Sequence, residues 1–249
     1  MRLNEYVEKQ RGKPITKEEA RELLRTDHAD AFVSKVQIYR GVGGYGDFAY
    51  IDPSKSKDLR RSASTSNYYT LMMDNSSKWS KYPKRSKSII CSTDSEYSDG
   101  FGDVYNVYPI NGGKVGVCPY MDIWGSKRLQ YSFEDISEIT GIVVESDYIC
   151  VTRADYDFPN MVKIFKLIDK NKELIIKEMD IKAFRYKYAM PFFVSYMGSG
   201  KTFYGFIDYL MDPDACDFSL VRAGNNIPPN REIWISDPCV LVKVGANLL

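Results

Sequence analysis

Ser88-Ile89-Ile90-Cys91-Ser92-Thr93-Asp94 decides how the rest of the chain is read. Its apolar run reads as a β-strand, and that strand ends in two hydroxyls and a carboxylate. Two distant stretches answer to it: Ile38-Tyr39-Arg40-Gly41 upstream and Arg231-Glu232-Ile233-Trp234-Ile235 downstream. Each is a strand-like run with one polar residue where a buried strand would carry none. A charge at the mouth of an apolar strand is costly unless it is paired or used. The three runs together deliver an arginine, a serine and a glutamate.

The surrounding composition bounds what these residues can do. The chain has 249 residues, with 44% apolar and 27% charged, the proportions of an ordinary globular domain. No apolar run approaches the roughly 20 residues that span a bilayer. Met1-Arg2-Leu3-Asn4-Glu5 lacks the apolar core of a signal peptide, so a cytoplasmic location without membrane attachment is expected. A formal charge of +1 excludes a uniformly basic surface but not a local basic patch. The five cysteines are scattered, with no Cys-x-x-Cys pair, which argues against a zinc site or a disulfide framework. With His28 the only histidine, Ser-His-Asp catalysis and a His-rich metal site both recede. The 19 Tyr, 12 Phe and 3 Trp suit half-buried strand faces, and also stacking on a planar ligand.

Taken in order, Thr16-Lys17-Glu18-Glu19 is a capping box opening a helix to about Arg25. Residues 31–36 continue it or form a second short helix, and residues 1–35 read as a helical lid on the core. Gly41-Val42-Gly43-Gly44-Tyr45-Gly46 is a glycine-dense loop without the spacing of a Rossmann turn. Residues 67–73 read as helix or strand. After Asp94 a polar turn is expected. Strands at 103–108 and 114–118 around Asn111-Gly112-Gly113 predict an antiparallel hairpin. Residues 155–212 read as a mainly helical insertion before the last strands, at 218–221 and 232–244. Gly198-Ser199-Gly200-Lys201-Thr202 lacks the first glycine of a Walker A loop and reads as a turn between helices. The whole, residues 1–249, is expected to be one α+β domain.

The three runs resemble the arginine–serine–glutamate class of ADP-ribosyltransferases. In that class a first strand presents an arginine, often before glycine, as in Tyr39-Arg40-Gly41. A middle strand ends in Ser-Thr-Ser, and Ile89-Ile90-Cys91-Ser92-Thr93 is similar, with Asp94 in place of the last serine. Ser98 and Phe101-Gly102 echo the segment that follows. A late glutamate opens a strand, as in Glu232-Ile233-Trp234-Ile235, with Pro238 beyond it. The literal Ser64-Thr65-Ser66 competes for the serine motif but follows basic loop residues rather than a strand.

The resemblance implies a split antiparallel β-sandwich core and cleavage of the bond between nicotinamide and ribose in NAD+. Glu232 would stabilise charge developing on the ribose. Arg40 would grip the pyrophosphate, and Ser92 would position Glu232 and the ribose. Gly41 and Thr93 fall in the same cofactor-binding runs. Tyr68 or Tyr69 would stack on nicotinamide, and Asn67 would bond a ribose or amide. NAD+ is the co-substrate, and no metal is implied. Asn230, two residues before the glutamate, turns the expectation away from arginine acceptors and towards a nucleic-acid base, with a protein side chain as the alternative. Lys55, Lys57, Arg60, Arg61, Lys81, Lys84, Arg85 and Lys87, interleaved with Trp79 and Tyr82, would form a single-strand nucleic-acid surface. A toxin or phage–host conflict effector of this kind implies a neutralising antitoxin protein. The contrasting reading is a non-enzymatic protein whose basic loop holds nucleic acid or a partner chain.

Overall fold

A computed structural model describes residues 12–34, 37–56, 68–125, 158–173 and 195–248. Among the described residues nine strands form one antiparallel sheet. They are β1 (Gly12–Pro14), β2 (Tyr39–Gly41), β3 (Phe48–Ile51), β4 (Ile89–Ser92), β5 (Val104–Pro109), β6 (Lys114–Val117), β7 (Ser219–Arg222), β8 (Glu232–Ile235) and β9 (Cys239–Lys243). Their order is β1-β3-β9-β5-β2-β4-β8-β6-β7. The helices are α1 (Lys17–Arg25), α2 (Ala29–Val33), α3 (Tyr68–Asn75), α4 (Ser95–Asp99), α5 (Phe158–Lys170) and α6 (Phe203–Leu210). This is the α+β class that the sequence predicts.

The sheet has two arms, β1-β3-β9-β5-β2 and β4-β8-β6-β7. They meet at a single registered pair, Tyr39↔Ser92, whereas β5 and β9 share five pairs, from Tyr105↔Lys243 to Pro109↔Cys239. Strand alternation sends Ile89 and Cys91 to one face and Ile90 to the other. On the first face Ala49, Ile51, Val107 and Leu241 of one arm join Ile89, Val115, Ile233 and Ile235 of the other in one core that, among the described residues, includes none from a helix. Among the described residues the two arms thus cover this face with each other. The opposite face carries two separate cores. Ala20 and Leu24 of α1 pack on Phe48, Val240 and Val242 of the first arm. Met72, Phe165, Phe203 and Phe206, from α3, α5 and α6, pack with Ile90 and Trp234 of the second.

Local chemistry explains the helix starts. Thr16 Oγ1 accepts the Glu19 N–H at 3.1 Å, and Glu19 Oε2 accepts the Thr16 N–H at 2.7 Å, which closes the capping box. Residues 29–33 form a second helix rather than a continuation of the first. The lid is not wholly helical, because β1 lies within it and pairs with β3. Of the helical insertion, α5 and α6 lie among the described residues. Thr202 caps α6 through the Gly205 N–H at 3.1 Å, so the Walker-like run is a turn, with Gly200 at φ +81°.

Two expectations are corrected. The polar stretch after Asp94 is α4, not a plain turn. The predicted hairpin does not form: β5 pairs with β2 and β9, while β6 pairs with β7 and β8. Residues 110–113 instead carry the chain from one arm to the other. Asn111 is occupied elsewhere, donating to Thr26 O at 2.7 Å and accepting from Asp30 N at 2.9 Å. A second crossing, residues 236–238, joins β8 to β9 beside it. Ile110 N donates to Pro238 O at 2.9 Å and Lys114 N to Asp237 Oδ2 at 2.7 Å. Among the described residues no helix is long and apolar enough to cross a membrane.

Candidate functional site

β4 lies between β2 and β8, so the strands that carry Arg40, Ser92 and Glu232 are neighbours. Ser92 is registered against Tyr39 on one side and Glu232 on the other. Registered residues of an antiparallel sheet project from the same face. Tyr39, Ser92 and Glu232 therefore share the face on which Ile90 and Trp234 also lie. Arg40 begins from the other face. Its guanidinium nevertheless reaches β4, with Nη1 donating to Ile90 O at 2.7 Å. That bond is made where β2 and β4, past their one registered pair, no longer follow each other as a ladder.

Glu232 is buried, and among the described residues its carboxylate is met by three donors. Arg85 Nη1 lies 2.7 Å from Oε1 in a buried ion pair. The Trp234 indole N–H donates to the same oxygen, and Ile123 N donates to Oε2 at 3.1 Å. Burial pushes the Glu232 carboxyl up, but the Arg85 charge and these hydrogen bonds outweigh it and hold it below its ordinary value. Backbone bonds from Glu232 N to Tyr120 O (2.7 Å) and from Cys118 N to Glu232 O (2.9 Å) wrap the 118–123 segment around it. Burial, and then the Glu232 charge, push the Cys118 thiol well up, so it is a neutral thiol at neutral pH and no nucleophile.

Arg85 escaped the sequence reading, which placed it in an exposed basic run. It opens a single-turn 3-10 helix, Arg85–Lys87. Asp74 at the end of α3 accepts the Ser86 N–H at 3.3 Å and pins that turn. The guanidinium carbon lies 4.8 Å from the centre of the Trp234 ring. One signal could have found it: a glutamate opening an apolar strand demands a cation.

The remaining expected site residues fall out differently. Ser92 is buried, and its Oγ accepts the Asp94 N–H at 3.0 Å. Thr93 extends the β4–β8 pairing, with Thr93 N donating to Arg231 O at 3.0 Å and Arg231 N to Thr93 Oγ1 at 2.9 Å. Gly41 is explained by packing, because a Cβ there would stand 1.9 Å from the Ser98 carbonyl oxygen of α4. Tyr69 is buried in the core under α3 and has no face to offer a ligand, which corrects the stacking role expected of it. For Tyr68 only the backbone, at the start of α3, is described. Asn67 and the competing Ser64-Thr65-Ser66 lie outside the described residues. Asn230 is exposed at φ +56°, a left-handed conformation that asparagine tolerates well, so the backbone alone accounts for its residue type.

The basic and aromatic surface is also corrected. Trp79 and Tyr82 are buried, and Trp79 stacks on Trp234 at 5.5 Å and 21°. Tyr82 Oη donates to Phe218 O at 3.0 Å. Lys55 pairs with Asp52 at 2.8 Å, Lys81 with Asp214 at 3.5 Å, and Lys87 Nζ donates to Ser56 O at 2.6 Å. Lys57, Arg60 and Arg61 lie outside the described residues. Among the described residues no group of three or more His, Cys, Asp or Glu side chains could hold a metal ion. No family model, curated protein or solved structure matches the chain.

Proposed function

We propose that this chain is a mono-ADP-ribosyltransferase that splits NAD+ at the nicotinamide–ribose bond. One observation carries the reading. Three runs of sequence, up to about 190 residues apart, were singled out by residue chemistry, and they lie side by side as β2, β4 and β8, with Ser92 in register with Glu232. The same topology, two arms closed over a shared core, supports a split β-sandwich of the kind the resemblance implies.

In this reading the nicotinamide–ribose C–N bond breaks, nicotinamide leaves, and positive charge develops on the ribose. The Glu232 carboxylate, kept ionised by Arg85, stabilises that charge. Arg40, its fork oriented by the Ile90 carbonyl, binds the pyrophosphate. Ser92, registered beside Glu232, positions the glutamate and the nicotinamide ribose. The new bond forms to an acceptor atom, which gives up its proton. The acceptor we propose is a nucleic-acid base near the exposed Asn230, in the cytoplasm, for a toxin or conflict effector that an antitoxin protein neutralises. A protein side chain is the alternative acceptor.

Labelled NAD+ incubated with the protein and cell lysate, then divided between nuclease and protease digestion, tests activity and acceptor together. Label released by nuclease supports a nucleic-acid acceptor, and label released by protease a protein one. Glu232→Gln, which keeps the shape and an acceptor oxygen, is expected to abolish transfer. Transfer by Glu232→Gln at the wild-type rate sinks the assignment.

A second reading has its own observation. The Arg85–Glu232 pair is buried, and both carboxylate oxygens already have donors. In a non-enzymatic binding protein this pair would serve the fold alone. That reading expects no NAD+ turnover and salt-sensitive binding to nucleic acid or a partner chain.

A further inference from the structure

An ionised carboxylate offers about four acceptor positions on its two oxygens. In Glu232, Oε1 takes Arg85 Nη1 at 2.7 Å and the Trp234 indole N–H. Oε2 takes the Ile123 N–H at 3.1 Å. Among the described residues the count leaves one position, on Oε2. We propose that Arg85 is a positioning residue that, with Trp234 on the same oxygen, fixes Glu232 so that this remaining position receives a hydroxyl of the nicotinamide ribose. The inference rests on the transferase reading and goes beyond it, because it assigns the orientation of the carboxylate to a residue outside the Arg-Ser-Glu set.

Both partners of Oε1 are themselves held. The Arg85 guanidinium lies against the Trp234 ring at 4.8 Å, and Trp234 is stacked on Trp79 in the core. Asp74 holds the backbone of the Arg85 turn through Ser86. An acid anchored at one oxygen by two immobile donors cannot turn freely, and that preorganisation is what charge stabilisation in a transition state requires. Among the described residues, the charged and titratable groups that act on Glu232 or share its surroundings are Arg85 from its turn and Cys118 just after β6, with Asp122 acting on Cys118. Of these described groups Arg85 supplies the positive charge, and the Glu232 carboxyl is held low.

Nicotinamide release from labelled NAD+ is measured for the full wild-type chain and for Arg85→Gln, Arg85→Lys and Trp234→Phe, from about pH 4.5 to 8.5. Arg85→Gln is expected to lower kcat about a hundredfold, to leave KM within about threefold, and to move the acid limb up by about one pH unit or more. Arg85→Lys keeps the charge without the planar fork, so the acid limb returns and kcat does not. Wild-type kcat and acid limb in a folded Arg85→Gln, or full recovery of kcat by Arg85→Lys, overturns the positioning role while the transferase reading stands. Where Arg85→Gln fails to fold, Trp234→Phe decides. A loss of kcat of about tenfold at unchanged KM supports the proposal, and wild-type kcat overturns it. A wild type that releases no nicotinamide overturns the transferase reading itself, and this role with it.

Discussion

Gly41 has no room for a side chain. The Ser98 carbonyl lies 1.9 Å from where a Cβ would be, and backbone cannot retreat as a flexible side chain can. Gly41→Ala is expected to cost about 1–3 kcal/mol, read as a lower urea midpoint at unchanged slope. An unchanged midpoint would show that α4 does not press on β2 as described. The buried pair makes an opposite kind of prediction. Glu232→Ala strands a buried guanidinium and is expected to cost about 3–5 kcal/mol, whereas the double replacement Arg85→Met with Glu232→Leu costs less than either single change. A double variant less stable than both singles refutes it. Arg40, Ser92 and Glu232 stand out in the sequence because each is a polar group in an apolar run, and the strands that carry them are neighbours. Arg85 does not, because a cation among other cations looks like surface until its burial is seen. Tyr69, Trp79 and Tyr82 misled for the matching reason: an aromatic side chain serves a core and a ligand equally well.

Helix α4 shows what one residue does for a short element. Asp94 Oδ1 accepts the N–H groups of Glu96 at 2.9 Å and Tyr97 at 3.4 Å. Asp94→Ala is expected to lose about 1 kcal/mol, while Asp94→Ser, an equally good cap, holds near the wild type. A thermal melt of the two variants checks this, and equal losses would remove the cap from the account. The five residues of α4, Ser95 to Asp99, carry no apolar period, so only the Asp94 cap could have announced them. The turn at residues 110–113 taught the reverse lesson. Its glycines turn the chain as expected, but which strands then pair is settled by partners far along the chain, which spacing does not reveal.

Two buried groups among the described residues make the stability of the fold depend on pH. Burial lowers the His28 imidazole below its ordinary 6.5, against the opposing carbonyls of Tyr108 and Pro109. The unfolded chain therefore takes up a proton at His28 first, and stability falls as pH drops below about 6.5. Glu232, also held low, adds a further loss only as pH falls through its own depressed range. Urea midpoints at pH 7.5 and pH 5.5 measure the first step, and His28→Gln is expected to flatten it. An equally steep fall in His28→Gln refutes that origin. The α+β class was legible from the alternation of strand and helix patterns, whereas a split sheet was expected only from the resemblance, because the strand order depends on which late strand inserts where.

That insertion has a consequence during synthesis. β8 lies inside one arm between β4 and β6, and β9 lies inside the other between β3 and β5. On the ribosome, both arms stay open along their middles until these sequence-late strands emerge, exposing four unpaired edges to any chaperone or neighbouring nascent chain. If Glu232 carries the chemistry, half-made chains are harmless, and the act that closes the sheet is the act that arms it.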